Sequence, residues 1–245
     1  MFAACPTSPA ASTHSSNTCI HCELRPLRQF CNLDIDALND FDAIGVSASL
    51  QRGVKLFEEQ CQSNGVFVIC HGRVKLSCTS KQGKTLILRI ALPGDVLGLG
   101  AVMSGSRYEV TAETIEPCRV RIIRREAFLP FLTRHSQASI HAAQSISRDY
   151  MAAFVDVRRL ALSDTAAGRL AGILLDWGGA ANRERDHGQM RFTMGLTHEE
   201  LANLTGISRE TVTRMLGRFK REKLIQVRGV SVLILDPAKL ELLAA

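Results

Sequence analysis

Eight cysteines stand in this chain of 245 residues, and three of them are spaced for shared chemistry. Cys19-Ile-His-Cys22 is a CxxC pair, and eight residues separate Cys22 from Cys31. A CxxC spacing lets two thiolates converge on one metal centre, and a third thiolate in the same short loop strengthens the pattern. Three ligands leave a tetrahedral metal or a cubane cluster one short, so a fourth must come from elsewhere in the chain. The same triplet suits structural zinc, with His21 or Cys118 as fourth ligand, or a dithiol switch. Cys61, Cys70 and Cys78 lie in or beside apolar strands and read as small core residues. Cys5 precedes the triplet in a polar tail and is a weaker ligand candidate. His14, His71, His135, His141, His187 and His198 form no usable pattern. Haem needs only one or two axial residues and stays open on sequence grounds.

A second set of residues is arranged for binding a polyanion. Thr197 reads as a helix N-cap, with Glu200 completing a capping box. Leu201 and Leu204 give that first helix its apolar stripe. Gly206 supplies a turn where positive φ is wanted, and Ser208 caps a second helix with apolar Val212, Met215, Leu216 and Phe219. From Ser208 to Lys223 the second helix carries six basic residues against two acidic ones. Arg209, Glu210, Thr213 and Arg214, near its start, are placed as a recognition helix needs them in a major groove. Arginine pairs bidentately with guanine, and glutamate accepts from the cytosine amino group. An ordinary helical hairpin with a solvated basic face is the competing reading.

The elements that must position these groups follow from composition and pattern. The length holds two compact domains, and 46% hydrophobic content supplies real cores, with aromatics at only 5%. A net charge of +6 and a pI near 9.0 fit a polyanion partner without selecting one. Arg89 and Pro93 interrupt the longest apolar run, so no membrane span is expected. The first Lys or Arg is Arg25 and no hydrophobic segment precedes Cys5, which excludes a secretory or lipoprotein signal and predicts a cytoplasmic protein. The chain has no Gly-rich phosphate loop, nucleophile elbow or metal-hydrolase motif, so it is not expected to be an enzyme. A metal-storage module would leave the basic helix unexplained.

Along the chain, residues 1–18 lack the hydrophobicity to fold alone, and Asp34 to Phe41 reads as a short helix. Strands are expected at Val66–Cys70, Val74–Cys78, Leu86–Ala91, Val110–Ile115 and Cys118–Ile123. Turns fall at His71-Gly72, Lys81–Lys84 and Pro93-Gly94-Asp95. Such short strands argue for a β-roll or barrel. A helical stretch opens at 126–135, and one long helix runs over 136–162. In it, Ile140, Ala143, Ser147, Tyr150, Phe154, Val157 and Ala161 follow alternating spacings of 3 and 4, a heptad seam suited to pairing with a second copy. Burial against the β-roll is the alternative. Asp164 is expected to cap a helix from Thr165 to Trp177, stopped by Gly178-Gly179, with a loop from Asn182 to Gln189. The expected divisions are an N-terminal cysteine segment (1–32), a sensor β-roll (33–135), a dimerisation helix (136–162) and a DNA-binding domain (163–245).

The run Gly206-Ile-Ser-Arg-Glu-Thr-Val-Thr-Arg214 closely resembles the recognition-helix signature of the CRP/FNR superfamily of bacterial transcription regulators. Leu224 to Leu235 alternates around Gly229 like the wing of a winged helix, where Arg228 meets phosphate. Gly72-x-Val74-x-Leu76 followed by Pro93-Gly94-Asp95 is similar to the superfamily's cyclic-nucleotide-binding fold. In order and spacing the resemblance covers about residues 19–240. It implies an α+β chain: a β-roll of cyclic-nucleotide-binding type, a long dimerisation helix and a C-terminal winged helix-turn-helix. It also implies a homodimer on palindromic double-stranded DNA, acting as an activator through RNA polymerase.

The resemblance argues against a cyclic nucleotide. Asp95 stands where ribose recognition expects Glu, and Arg107 is followed by Tyr108-Glu109 where an Arg-Ser/Thr-Ala run holds the phosphate. It favours the oxygen-sensing FNR branch, which has a cysteine triplet before the β-roll and a fourth ligand in a stretch resembling Ala112 to Val120. On that likeness Cys19, Cys22, Cys31 and Cys118 are the expected ligands of a [4Fe–4S] cluster. A regulator using zinc, thiols, another small molecule or no ligand is the alternative. Matching the superfamily's Arg-Glu-x-x-x-Arg pattern, Arg209 and Arg214 are expected to read guanine and Glu210 cytosine, beside Ser208 and Thr213. The half-site should then resemble TGTGA more than TTGAT.

Overall fold

The computed structural model describes residues 19–162, 165–181 and 190–244, and the chain divides into two compact units between Ala152 and Ala153. The first unit begins with three 3-10 turns, Cys19–His21, Arg25–Leu27 and Gln29–Cys31. Asp34 then caps helix α1 (Ile35–Ile44) by accepting the Ala37 N–H at 2.8 Å. Strands β1 (Gly45–Leu50), β2 (Lys55–Phe57), β3 (Gly65–His71), β4 (Val74–Thr79), β5 (Thr85–Ala91), β6 (Val96–Leu97), β7 (Thr111–Thr114) and β8 (Cys118–Arg124) build the roll. They form two antiparallel sheets, ordered β1-β8-β3-β6 and β2-β7-β4-β5.

Three features depart from the sequence reading. Residues 33–60, expected as a helix and an irregular lead-in, also hold β1 and β2. Only Ala48 and Leu50 of β1 are buried, so its own pattern is weak, and pairing from Gly45↔Ile123 to Leu50↔Cys118 supplies the rest. Helix α2 (Leu99–Ser104) was not foreseen. The strands flanking His71-Gly72 lie in different sheets. Gly72 crosses between them at φ +83°, where an added Cβ would lie 2.6 Å from Cys118 Sγ.

The run Gly65-Val-Phe-Val-Ile69 is buried throughout because β3 separates two cores. Val66 and Val68 face a cluster holding Phe30, Phe41, Phe128 and Phe131, with half-buried Cys19 and Cys31 packed against it. Phe67 and Ile69 face a second cluster holding Phe57, Tyr108, Cys118 and Val120. On β8 the same alternation places Cys118 and Val120 in the second cluster and Ile123 in the first.

Helix α3 (Arg125–Arg134) leads into α4 (Ser136–Leu162), close to the expected bounds. Ala138, Ala142 and Ser145 form the buried face of α4. Its other side carries Ile140, Ala143, Ser147, Tyr150, Phe154 and Val157, all exposed in the single chain, with Ile140 at 56% and Val157 at 62%. The side chain of Ala161 lies outside the described residues, as do Cys5, His14, the expected cap Asp164, the loop Asn182–Gln189 and His187.

In the second unit, α5 (Ala166–Ala181) runs past the expected stop at Gly178-Gly179. Gly178 serves close packing instead: an added Cβ would lie 2.9 Å from Ile234 Cδ1 and 3.0 Å from Met190 Cβ. Thr165 Oγ1 accepts the Gly168 N–H at 2.9 Å at the helix start. Strand β9 (Met190–Thr193), helices α6 (His198–Thr205) and α7 (Arg209–Arg221), strands β10 (Ile225–Arg228) and β11 (Ser231–Ile234) and helix α8 (Pro237–Ala244) follow. The sheet order is β10-β11-β9. Among the described residues no helix is long and apolar enough to cross a membrane.

Candidate DNA interface and cysteine cluster

The capping box forms as the sequence specifies. Thr197 Oγ1 accepts the Glu200 N–H at 3.1 Å, and Glu200 Oε2 accepts the Thr197 N–H at 2.8 Å. Gly206 takes φ +69° to close α6, and Ser208 Oγ accepts the Thr211 N–H at 3.2 Å to open α7. Val212, Leu216 and Phe219 are buried on one side of α7. Ser208, Arg209, Glu210, Thr213 and Arg214 are exposed on the other. Thr197, His198, Glu199, Arg209, Glu210, Thr213 and Arg214 line a wide concavity of about 630 Å³.

Two features fix the chemistry of this face. Arg209 Nε stands 3.8 Å from Glu210 Oε1 with both side chains largely exposed. So loose a surface pair holds neither group back from another partner. The Glu210 backbone N–H, then the Ser208 hydroxyl, hold the Glu210 carboxyl below its ordinary range. At neutral pH it is therefore a carboxylate that can only accept. His198, which formed no pattern in the sequence, brings its Nδ1 to 2.8 Å from Thr213 Oγ1 and ties α6 to the reading face of α7.

The wing turns at Gly229, φ +57°, between paired β10 and β11. Exposed Arg228 shares a small cleft with Arg191, Gln226, Ser231 and Leu233. Arg191 lies on β9, a strand too short to have announced itself after a polar loop.

The cysteine loop is anchored from two sides. The Cys19 N–H donates to the Asp42 carboxylate at 2.9 and 3.1 Å, and Asp42 Oδ1 pairs with buried Arg121 Nη2 at 2.7 Å. Arg28, only 8% exposed, donates from Nη2 to the Cys70 carbonyl at 2.9 Å. Its own carbonyl accepts the Cys31 N–H at 2.9 Å. The aliphatic part of Arg28 lies across Gly94, where an added Cβ would come within 3.0 Å of Arg28 Cγ. The loop is thus tied to β8 through Arg121 and to β3 through Cys70.

Of the four expected ligands, Cys19, Cys22 and Cys31 are half-buried in the N-terminal segment, with Cys19 and Cys31 packed against the Phe30 cluster, and Cys118 lies in the other core. Cys118 is buried in the second cluster, and its Sγ lies 3.3 Å from the Arg73 carbonyl and 3.2 Å from that of Glu116. Cys70 is half-buried and is the extra residue of the bulge in β3 between Ile69 and His71. Burial pushes Cys31 up to about 12, and the Cys70 charge adds to the rise. Burial also raises Cys19, with Asp42 and Cys70 contributing against Arg121. Cys70 is itself raised by burial and by Cys22, opposed by Arg119, Arg28 and Arg121. Among the described residues, no three Cys, His, Asp or Glu side chains already stand at metal-holding separation.

The region matching a nucleotide cassette is occupied by ion pairs. Asp95 accepts the Leu92 N–H at 2.9 Å and lies 3.5 Å from Arg89, which also meets Asp149 at 3.1 Å. Arg89, Asp95, Ser145, Arg148 and Asp149 line a cleft of about 290 Å³. Arg107 donates to the Gln60 carbonyl at 2.7 Å, and the Tyr108 hydroxyl donates to the Gly65 carbonyl at 2.7 Å. Two carboxylates facing the cleft oppose a phosphate.

Comparison with known proteins places both units. Residues 168–243 match the family described as the Crp-like helix-turn-helix domain, and residues 48–135 match the cyclic nucleotide-binding domain. The chain is 27% identical over 235 residues to the transcriptional activator protein Anr of Pseudomonas protegens, covering 94% of each. It is 29% identical over 191 residues to the CRP-like cAMP-activated global transcriptional regulator of Mycobacterium tuberculosis, covering 77% of this chain and 84% of that one. The structure of FixK2 from Bradyrhizobium japonicum superimposes with a TM-score of 0.72 at 22% identity, over 82% of this chain and 98% of that one.

Proposed function

The chain belongs to the CRP/FNR family of DNA-binding transcription regulators, and on that premise we propose that it binds palindromic operators as a homodimer under the control of a [4Fe–4S] cluster held by its cysteine loop. The observation carrying this reading is the contact between that loop and α4. The Gln29 amide donates to the Gln144 side chain, and the Asp34 N–H donates to Gln137 Oε1 at 3.2 Å. Phe30 packs in the same cluster as Ala138 and Ala142. Residues between and just after the cysteines therefore rest on the helix whose other side presents the heptad seam.

When bound, the cluster supplies a link among thiolates that oxygen or NO breaks. The residues of the chain do the remainder. Gln29, Phe30 and Asp34 hold the loop on α4, and the seam from Ile140 to Ala161 pairs with a second copy. Pairing lets two recognition helices engage two half-sites at once, which multiplies affinity without new contacts. Arg209 and Arg214 read guanine, Glu210 reads cytosine, and Arg228 with Arg191 meets phosphate. Transcription activation through RNA polymerase in the cytoplasm is the proposed output.

An absorption spectrum of anaerobically purified protein, taken with operator binding before and after air exposure, tests the reading. Broad absorption around the visible blue, bleaching in air with loss of operator affinity, is the expected result. A colourless zinc protein with air-insensitive binding would overturn it.

A further inference from the structure

We infer that DNA binding by this chain is linked to a proton: His198, held by Thr213, takes one up at Nε2 and donates from it to a DNA phosphate beside the reading face. The inference rests on α6 and α7 binding DNA and needs neither the cluster nor the homodimer.

The Thr213 hydroxyl fixes the state of the ring. It has one hydrogen, which it donates to the Arg209 carbonyl at 3.0 Å. Towards His198 it can therefore only accept, so Nδ1 of the ring, 2.8 Å away, carries a hydrogen. In the neutral ring Nε2 is then a lone pair that cannot bond a phosphate oxygen. A proton added there makes it a charged donor, and charge-assisted bonds to phosphate are the strong ones. The side chain is exposed, and Nε2 has no hydrogen-bond partner among the described residues.

The surroundings point the same way. His198 is the first residue of α6, the helix that crosses the DNA backbone when the second helix lies in the major groove. The Thr197 hydroxyl accepts the Glu200 N–H. The His198 and Glu199 N–H groups are left without an acceptor among the described residues and face an anion at that helix end. The charged groups lining the same concavity are Glu199 of α6 and Arg209, Glu210 and Arg214 of α7. Glu200 is held in the cap, and Arg169 of α5 donates to the Thr205 carbonyl at the far end of α6. The two glutamates and two arginines cancel, so a proton on His198 decides whether the concavity is positive. A phosphate arriving there favours the imidazolium. This contribution to affinity is complete below the ordinary histidine range and is lost as pH rises through it.

The test uses the full chain, kept anaerobic, as wild type, His198→Gln and His198→Arg, each checked for an unchanged melt. Affinity is measured between about pH 6 and pH 8, on the duplex that wild type selects from a random pool and on an unrelated duplex. Wild-type affinity should fall by roughly tenfold per bound subunit, the effect of one unit of difference in proton affinity between free and bound protein. His198→Gln keeps a donor for Thr213 but cannot charge, and its pH profile should be flat. His198→Arg should be flat and as tight as wild type at the acid end. Salt dependence identifies the partner: the wild-type slope of log affinity against log salt should be steeper at the acid end by about 0.9 per subunit, and in His198→Gln equal at both ends. A wild type that prefers no duplex would defeat the operator reading. The proton linkage is then read on the unrelated duplex, because a phosphate contact carries no sequence. A pH profile that survives in His198→Gln overturns the inference. So does a wild-type salt slope that is the same at both ends, since His198 would then meet no phosphate.

Discussion

The two ends of this chain present chemistry in opposite ways. On α7 the functional side chains stand in solvent on a backbone locked by caps, and the buried residues beneath them only hold the helix in place. In the first unit the thiols proposed as ligands, Cys19, Cys22 and Cys31, are half-buried, and the residues beside them also build the core. Phe30 lies between Cys22 and Cys31, yet it packs with Phe41 at 5.8 Å and Phe128 at 6.1 Å between ring centroids. A reading face can therefore be altered one side chain at a time, whereas a buried site changes together with its unit's stability.

The contrast can be broken by substitutions of decreasing effect. Phe30→Ala removes a fully buried ring and should destabilise the protein by about 3–5 kcal/mol, read by thermal or urea denaturation. A loss below about 1 kcal/mol would separate the loop from the core and sink the contrast. Phe154→Asp places a charge in the proposed helix–helix seam, with a large desolvation cost. It should shift sedimentation towards monomer and lower affinity for a two-half-site operator by roughly 100-fold. A dimer persisting at micromolar concentration would show that the seam lies elsewhere on α4.

Arg209→Ala should leave stability within about 0.5 kcal/mol but cost about 1–3 kcal/mol at its guanine, measured by selection from random duplexes. Unchanged selectivity would reduce Arg209 to a phosphate contact. The wing partner gives the complementary signature. Arg228→Ala should weaken all sequences alike and lower the salt slope by about one. Thr197→Ala has the smallest effect, about 1 kcal/mol from the lost cap, with base preference intact. A change of base preference there would mean that the cap also aims the reading residues.

How much was legible in the sequence follows the same division. Local chemistry specified α6 and α7: Thr197, Gly206 and Ser208 each have a role set by neighbours within four residues. The register of Val212, Leu216 and Phe219 could be read because the opposite side is polar. In β3 no such contrast exists, since Gly65-Val-Phe-Val-Ile69 is buried on both sides. Periodicity cannot say which side of such a strand faces which core. Cys70, next to this run, was read as a small core residue and is half-buried, and Cys118 was named as a ligand from the family likeness. The missed β1 and β2 fail for a related reason, because their pairing partners β8 and β7 lie more than fifty residues away. Gly178 misled in the other direction: a glycine read as a helix stop is a site of contact with Ile234 and Met190.

The uninterrupted run of α4 has a further consequence, one of phase. Ser136–Leu162 is one helix of 27 residues, about 40 Å long, in which each residue turns the next by about 100°. One alanine inserted after Ser147 would rotate Tyr150, Phe154 and Val157 by that angle away from Ile140 and Ala143. The seam would then be split across two sides of the cylinder without the loss of any seam residue. Seven inserted residues would return the two halves to within about 20° of alignment. Tolerance to added length in this helix should thus be periodic, poor for one residue and restored near seven.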